Sequence, residues 1–193
     1  MRICVFGAAS NKIDKVYIDT VEKLGEEMAK RGHTLVFGAG ANGLMGAVAR
    51  GVHRAGGKII GIIPAFFRDE AIEAIFEDCD ELIYTESMAE RKLKMRELAD
   101  AFITVPGGVG TLEEFFEVFT LKQLARHTKP IAILDEKNYY RTMENFFSIA
   151  VQEGFIQEEC AALYTYSDSI DEVLEYVEKD ERAEKDVHDL KKG

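Results

Sequence analysis

Ala101-Phe102-Ile103-Thr104-Val105 runs without a break into Pro106-Gly107-Gly108-Val109-Gly110-Thr111-Leu112-Glu113-Glu114. The first five residues, apolar or β-branched with no polar alternation, read as a strand buried on both faces. Gly107, Gly108 and Gly110 then let the backbone approach a ligand closely and aim N–H groups inward. Thr111 is expected to cap a following helix, with Glu113 and Glu114 in its first turn. Read this way, the stretch is an anion nest with carboxylates beside it. It is not a Walker A loop, because no Lys-Ser/Thr pair follows Gly110. The two glutamates also have an ordinary explanation, as acids that complement a helix dipole or as a capping box between Thr111 and Glu114. Their place at the carboxyl end of a sheet strand, where ligands of open α/β folds bind, favours a site.

The same strand-then-helix rhythm extends in both directions. Strands are expected at Arg2–Phe6, Thr34–Phe37, Lys58–Ile63, Glu81–Tyr84, Ala101–Val105 and Pro130–Leu134, with a short one near Leu163–Tyr166. Between them, helices are expected near Val16–Arg31, Leu44–Ala55, Met88–Ala99, Leu112–Arg126, Tyr139–Glu153 and Asp171–Glu178. In the first of these Tyr17, Val21, Leu24 and Met28 form one apolar stripe, and Gly32, Gly56 and Gly154 are placed to stop helices. Strands alternating with helices specify an α/β fold: Rossmann-like and doubly wound, a mainly parallel sheet with helices on both faces. No linker or repeat divides the chain, so residues 1–178 read as one nucleotide-binding domain. The charged segment 179–193 reads as a flexible tail.

Composition narrows the function classes. The chain has 193 residues and a formal net charge of −11, which opposes general attraction to nucleic acid. No apolar run reaches the roughly 20 residues that cross a bilayer, and the N-terminus lacks a signal-peptide core, so a cytoplasmic protein without a membrane partner is expected. Cys4, Cys79 and Cys160 are too scattered for a disulfide framework, and the four histidines show no HExxH spacing. No metal and no cofactor are expected.

Gly38-Ala39-Gly40-Ala41-Asn42-Gly43 formally satisfies GxGxxG between a strand and a helix. It follows the second strand rather than the first, and the next strand ends Gly61-Ile62-Ile63-Pro64 without the acid that binds a dinucleotide ribose. A nicotinamide cofactor is therefore not expected. Phosphate or ribose contact with the N–H groups opening the Leu44 helix is the preferred reading.

Residues 106–114 fit the PGGxGTxxE motif of the LOG ("lonely guy") cytokinin riboside 5′-monophosphate phosphoribohydrolases, and the chain resembles that family elsewhere too. Met88-Ala89-Glu90-Arg91-Lys92 with Met95 is similar to its ERKxxM segment, Gly43-Leu44-Met45-Gly46-Ala47-Val48-Ala49 to its GLMGxVA helix start, and Val5 to Ser10 to its first strand and loop. Ala39 stands where relatives usually carry a third glycine, and Gly7-Ala8-Ala9 where they often have Cys-Gly-Ser. The resemblance implies hydrolysis of the N-glycosidic bond of a purine nucleoside 5′-monophosphate, without a cofactor, by a homodimer. Some relatives carry a lysine decarboxylase label, but no motif here marks a lysine for pyridoxal phosphate.

Cleaving a purine–ribose bond develops positive charge on the sugar, which a carboxylate can stabilise while orienting water; Glu114 is the candidate. Arg91, a planar fork of donors, suits a phosphate or a charged leaving group, and the resemblance implies that it is catalytic. Lys92, Gly107, Gly108, Val109, Gly110, Thr111 and Glu113 are candidates for binding substrate and its phosphate, with Ser10, Gly40 and Met45 weaker candidates around ribose or base. Apolar residues surround most of the Leu112–Arg126 helix, implying a second partner surface besides the sheet. The competing class is a non-catalytic carrier of a nucleotide or of molybdenum cofactor on the same fold.

Overall fold

Alternation of side chains along each strand, with apolar residues at every position, leaves both faces of a sheet in need of cover. The computed structural model, which describes residues 1–70 and 73–179, supplies it with helices on both sides. Seven parallel strands, β1 (Arg2–Phe6), β2 (Thr34–Phe37), β3 (Lys58–Pro64), β4 (Glu81–Thr85), β5 (Ala101–Thr104), β6 (Ile131–Leu134) and β7 (Thr165–Ser167), lie in the order β4-β3-β2-β1-β5-β6-β7. The helices are α1 (Lys15–Lys30), α2 (Gly43–Arg54), α3 (Ala65–Asp69), α4 (Met88–Leu98), α5 (Val109–Gln123), α6 (Arg141–Gln152) and α7 (Ile170–Glu178). The expected tail lies, from residue 180 on, outside the described residues.

Register sorts the core in two. Ile3, Val5, Leu35, Phe37, Ile59, Ile63, Ala101 and Ile103 point to the layer holding α1, α2 and α7. Their neighbours Cys4, Phe6, Val36, Ile62 and Phe102 point to the other, which holds Met95 of α4 and Phe115, Val118 and Phe119 of α5. Tyr140 and Phe147 join that second layer, and the Phe147 ring packs at a tilt against Phe116 at 6.0 Å and Phe119 at 5.4 Å. The second surface that α5 needs is thus partly supplied by α6 of the same chain.

The stop signals act as expected. Gly32, Gly56 and Gly154 follow their helices at φ of 77°, 71° and 76°, the left-handed region where a side chain is costly. Helix α3 and the two short 3-10 turns at Glu136–Asn138 and Glu158–Leu163 were not expected, since segments of three to six residues carry too few periods to read. Sheet order reverses beside β1, whose neighbours are β2 and β5. The loops leaving β1 and β5 therefore face each other across a topological switch point, the crevice where doubly wound folds bind ligands.

Candidate active site

Both glycine-rich loops end at this crevice, yet only one presents free donors. At the start of α2 the N–H of Gly43 is accepted by Asn11 Oδ1 at 3.3 Å, those of Leu44 and Met45 by the Ala8 carbonyl at 2.8 and 3.3 Å, and that of Gly46 by Asn42 at 2.9 Å. This corrects the expectation that the Leu44 helix start holds a phosphate or ribose: the loop after β1 occupies that terminus. The packing also explains Gly43, which sits at φ 56° with the Ala8 and Ser10 carbonyls where a Cβ would project. Among the weaker candidates, Met45 lies over Gly7, Gly40 is buried beneath the Glu73 carboxylate, and exposed Ser10 accepts the Lys12 N–H at 3.1 Å.

The motif helix behaves differently. Helix α5 starts at Val109, with Gly108 as N-cap and no side chain capping it. Thr111 is therefore the third helical residue rather than the cap, and Glu113 and Glu114 lie beyond the first turn, which removes the capping-box explanation for Glu114. Val109, Gly110 and Thr111 carry N–H groups with no acceptor one turn back, and no backbone carbonyl of the described residues takes them. A Cβ on Gly108 or Gly110 would meet open space, whereas one on Gly107 would overlap Thr111. None of the three has a positive φ, so the donors belong to a helix N-terminus rather than to a left-handed nest.

Glu114 projects from the next turn of α5 into the crevice, with its side chain 15% exposed. Burial pushes its carboxyl up to about 7, against the pull of Arg91, which lowers it; Glu113 and Glu117 add repulsion. Arg91 Nη1 stands 3.8 Å from Glu114 Oε1. The arginine is fixed from α4, whose start is set by Ser87 accepting the Glu90 N–H at 3.2 Å while the Glu90 carboxylate accepts the Glu86 N–H at 2.7 Å. Its Nε donates to the Ile62 carbonyl at 3.1 Å and its Nη2 to Gly38 at 3.3 Å, on β3 and just after β2. A Cβ on Gly38 would overlap the guanidinium, so a larger residue there would displace the arginine from its present position.

Lys92 and Glu113, expected at the substrate, pair with each other; Lys92 also reaches Glu117 at 2.9 Å, and Glu117 meets Arg96 at 3.1 Å. The pairing raises the Lys92 ammonium above its ordinary value, the opposite of what an amine needs to form a Schiff base. This ladder ties α4 to α5 and so sets Arg91 against Glu114. Three residues beside the crevice escaped the sequence reading. Glu73, held up by burial, lies beside Gly40; the hydroxyls of Tyr139 and Tyr140 donate to the carbonyls of Gly107 and Val105, both at 2.9 Å. A Tyr-Tyr pair after an acidic turn carries no periodic signal, so only contact reveals it.

Residues 45–177 match a family described as "Possible lysine decarboxylase". A cytokinin riboside 5′-monophosphate phosphoribohydrolase of Arabidopsis thaliana is 38% identical over 177 residues, spanning 92% of this chain and 77% of its own length. Its Oryza sativa subsp. japonica counterpart is 41% identical over 158 residues, 82% of this chain and 64% of its own. The chain belongs to the LOG family. The molybdenum cofactor carrier of Chlamydomonas reinhardtii superposes with a TM-score of 0.68 over 92% of this chain and 98% of its own, at 22% identity. That likeness shows a shared fold, on which the LOG-family glycine motif, Arg91 and Glu114 are mounted.

Proposed function

We propose that this LOG-family chain hydrolyses the N-glycosidic bond of a purine nucleoside 5′-monophosphate, releasing free base and ribose 5-phosphate. The observation that carries the reading is Glu114, a largely buried carboxyl facing a fixed guanidinium one turn from an uncapped helix start. The names of the relatives agree with it. The 5′-phosphate takes the N–H groups of Val109 to Thr111, where the helix dipole favours an anion. That contact anchors the nucleotide and places the ribose over Glu114, since residues three apart in a helix advance about 4.5 Å.

As the bond between the anomeric carbon and the purine nitrogen breaks, positive charge grows on the sugar and the Glu114 carboxylate stabilises it. Water adds at the anomeric carbon; one of its protons passes to Glu114 and on to the departing base, so the water is divided between sugar hydroxyl and base N–H. With one N–H each of Nε and Nη2 given to backbone carbonyls, Arg91 keeps both N–H groups of Nη1 and one of Nη2 for the reacting groups. Its approach to Glu114 favours a role at the reaction centre over a grip on phosphate. Lys92 and Glu113 act indirectly by holding α4 against α5.

A homodimer is part of the proposal. Val109 at the mouth of the site is 85% exposed, and Met88 and Leu93 of α4 are exposed as well, which leaves apolar surface beside the crevice for a second copy. Sedimentation velocity that gives a monomer at micromolar concentration would remove that part. The activity is tested by incubating the chain with AMP and with N6-substituted AMP and resolving the products. Free base with ribose 5-phosphate supports the reading, and intact nucleotide refutes it. The carrier alternative predicts binding without turnover.

A further inference from the structure

Three consecutive carbonyls enter the phosphate loop, at Val105, Pro106 and Gly107, and each has a dedicated donor. Tyr140 Oη donates to Val105 at 2.9 Å, the Ala8 N–H to Pro106 at 3.2 Å, and Tyr139 Oη to Gly107 at 2.9 Å. The first two donors are held by the core and the sheet: Tyr140 is 3% exposed, and its own N–H donates to Asp135 Oδ1 at 2.8 Å. The third is different. Tyr139 is 47% exposed and sits on a turn that the chain holds at some cost, because Lys137 and Asn138 both have left-handed backbones at φ 60° and 56°. Contacts to α1 fix that turn from outside: Lys137 pairs with Asp14 at 2.9 Å, Glu136 accepts the Thr20 hydroxyl at 2.7 Å, and the Tyr139 ring meets Tyr17 edge-on at 6.1 Å.

The peptide that Tyr139 grips joins Gly107 to Gly108, and a peptide between two glycines rotates with less steric hindrance than any other. Its carbonyl and the Gly108 N–H point in opposite directions because the unit is trans and planar. Rotated, the same peptide would turn a carbonyl dipole toward the anion site formed by the N–H groups of Val109 to Thr111. We propose that Tyr139 is a positioning residue for the 5′-phosphate: its hydroxyl locks the Gly107–Gly108 peptide with the carbonyl outward, so that the loop offers only N–H groups to the anion. The inference rests on the nucleotide reading above and adds that recognition of the phosphate, rather than of ribose or base, depends on this side chain.

Tyr139→Phe keeps the ring against Tyr17 and removes only the hydroxyl, on a half-exposed side chain where loss of folding is not expected; an unchanged melting temperature checks this. AMP is expected to bind about fivefold to tenfold more weakly, the yield of one hydrogen bond, and ribose 5-phosphate and inorganic phosphate to lose the same factor as competitors. Adenosine, which lacks the phosphate, is expected to bind as it does to the wild type. KM for AMP rises while kcat stays within about twofold, since the hydroxyl does not touch the reacting atoms. Equal weakening of AMP and adenosine, or undiminished AMP binding, overturns the proposal. Calorimetric titration of AMP and adenosine reads the effect whether or not base is released, so its failure and that of the hydrolase reading are separable. Wild-type protein that binds AMP no tighter than adenosine removes the phosphate site and the proposal with it.

Discussion

Replacing Glu114 with glutamine should make the protein more stable and less active, in a manner set by pH. The folded chain holds this carboxyl at about 7 against an ordinary 4.5, chiefly because the site withholds water from the charge. A pKa raised by folding means that the native state binds the proton more tightly. Wild-type stability from this group is therefore full below about 4.5, is lost as pH rises toward 7, and stays low above it. The interval of roughly 2.5 units corresponds to about 3 kcal/mol at pH 8. Glutamine has the same shape and does not ionise, so Glu114→Gln should exceed the wild type by about 3 kcal/mol at pH 8 and by less than about 1 kcal/mol at pH 5. Paired urea denaturations at the two pH values read the difference, which cancels all other titrating groups. A variant equally stable to the wild type at both pH values, or less stable at pH 8, would refute the claim that the ionised carboxylate is held at a cost. The same substitution should reduce base release by roughly 100-fold or more, as loss of a charge that matters in the transition state does.

Turnover of the wild type should rise as pH increases through about 7, because the ionised form of Glu114 is the working one; a profile that falls over that range would reverse its assigned role. Arg91→Lys keeps the charge but cannot hold the Ile62 and Gly38 carbonyls at once, so kcat/KM should fall roughly 100-fold in steady-state assays, nearly as far as in Arg91→Ala. Gly38→Ala puts a methyl group into the guanidinium and should cost roughly 10-fold or more in kcat/KM, whereas Gly32→Ala, a strained but remote site, should lower stability and leave turnover alone. NAD should show no heat of binding in calorimetry at tenths-millimolar concentration, since the N–H groups at the start of α2 already have acceptors.

The sheet was legible because its evidence is local and repeated. Each of Arg2–Phe6, Thr34–Phe37 and Glu81–Tyr84 is a short apolar run closed by a turn, and each forms a strand within a residue of where its pattern ends. Helix α5 shows where that logic stops. Thr111 has the chemistry of a cap, but Gly108 takes the position because the loop turns three residues sooner, and only the backbone path reveals which residue leads. The start of α2 misleads in the same way: GxGxxG promises free N–H groups, and Ala8 and Asn11, more than thirty residues upstream, consume them. Arg91 and Glu114 were chosen from the motif and do meet across the crevice. That Lys92 and Glu113 pair with one another, and that Tyr139 reaches Gly107, depends on long-range packing that one-dimensional spacing does not encode.

The central claim is most directly tested by product analysis. Purified protein is incubated with AMP, and nucleotide, nucleoside, base and sugar phosphate are separated by chromatography. Adenine and ribose 5-phosphate appearing in equal amounts with the wild type, and not with Glu114→Gln, is the expected result; intact AMP, or adenosine with inorganic phosphate, would contradict it.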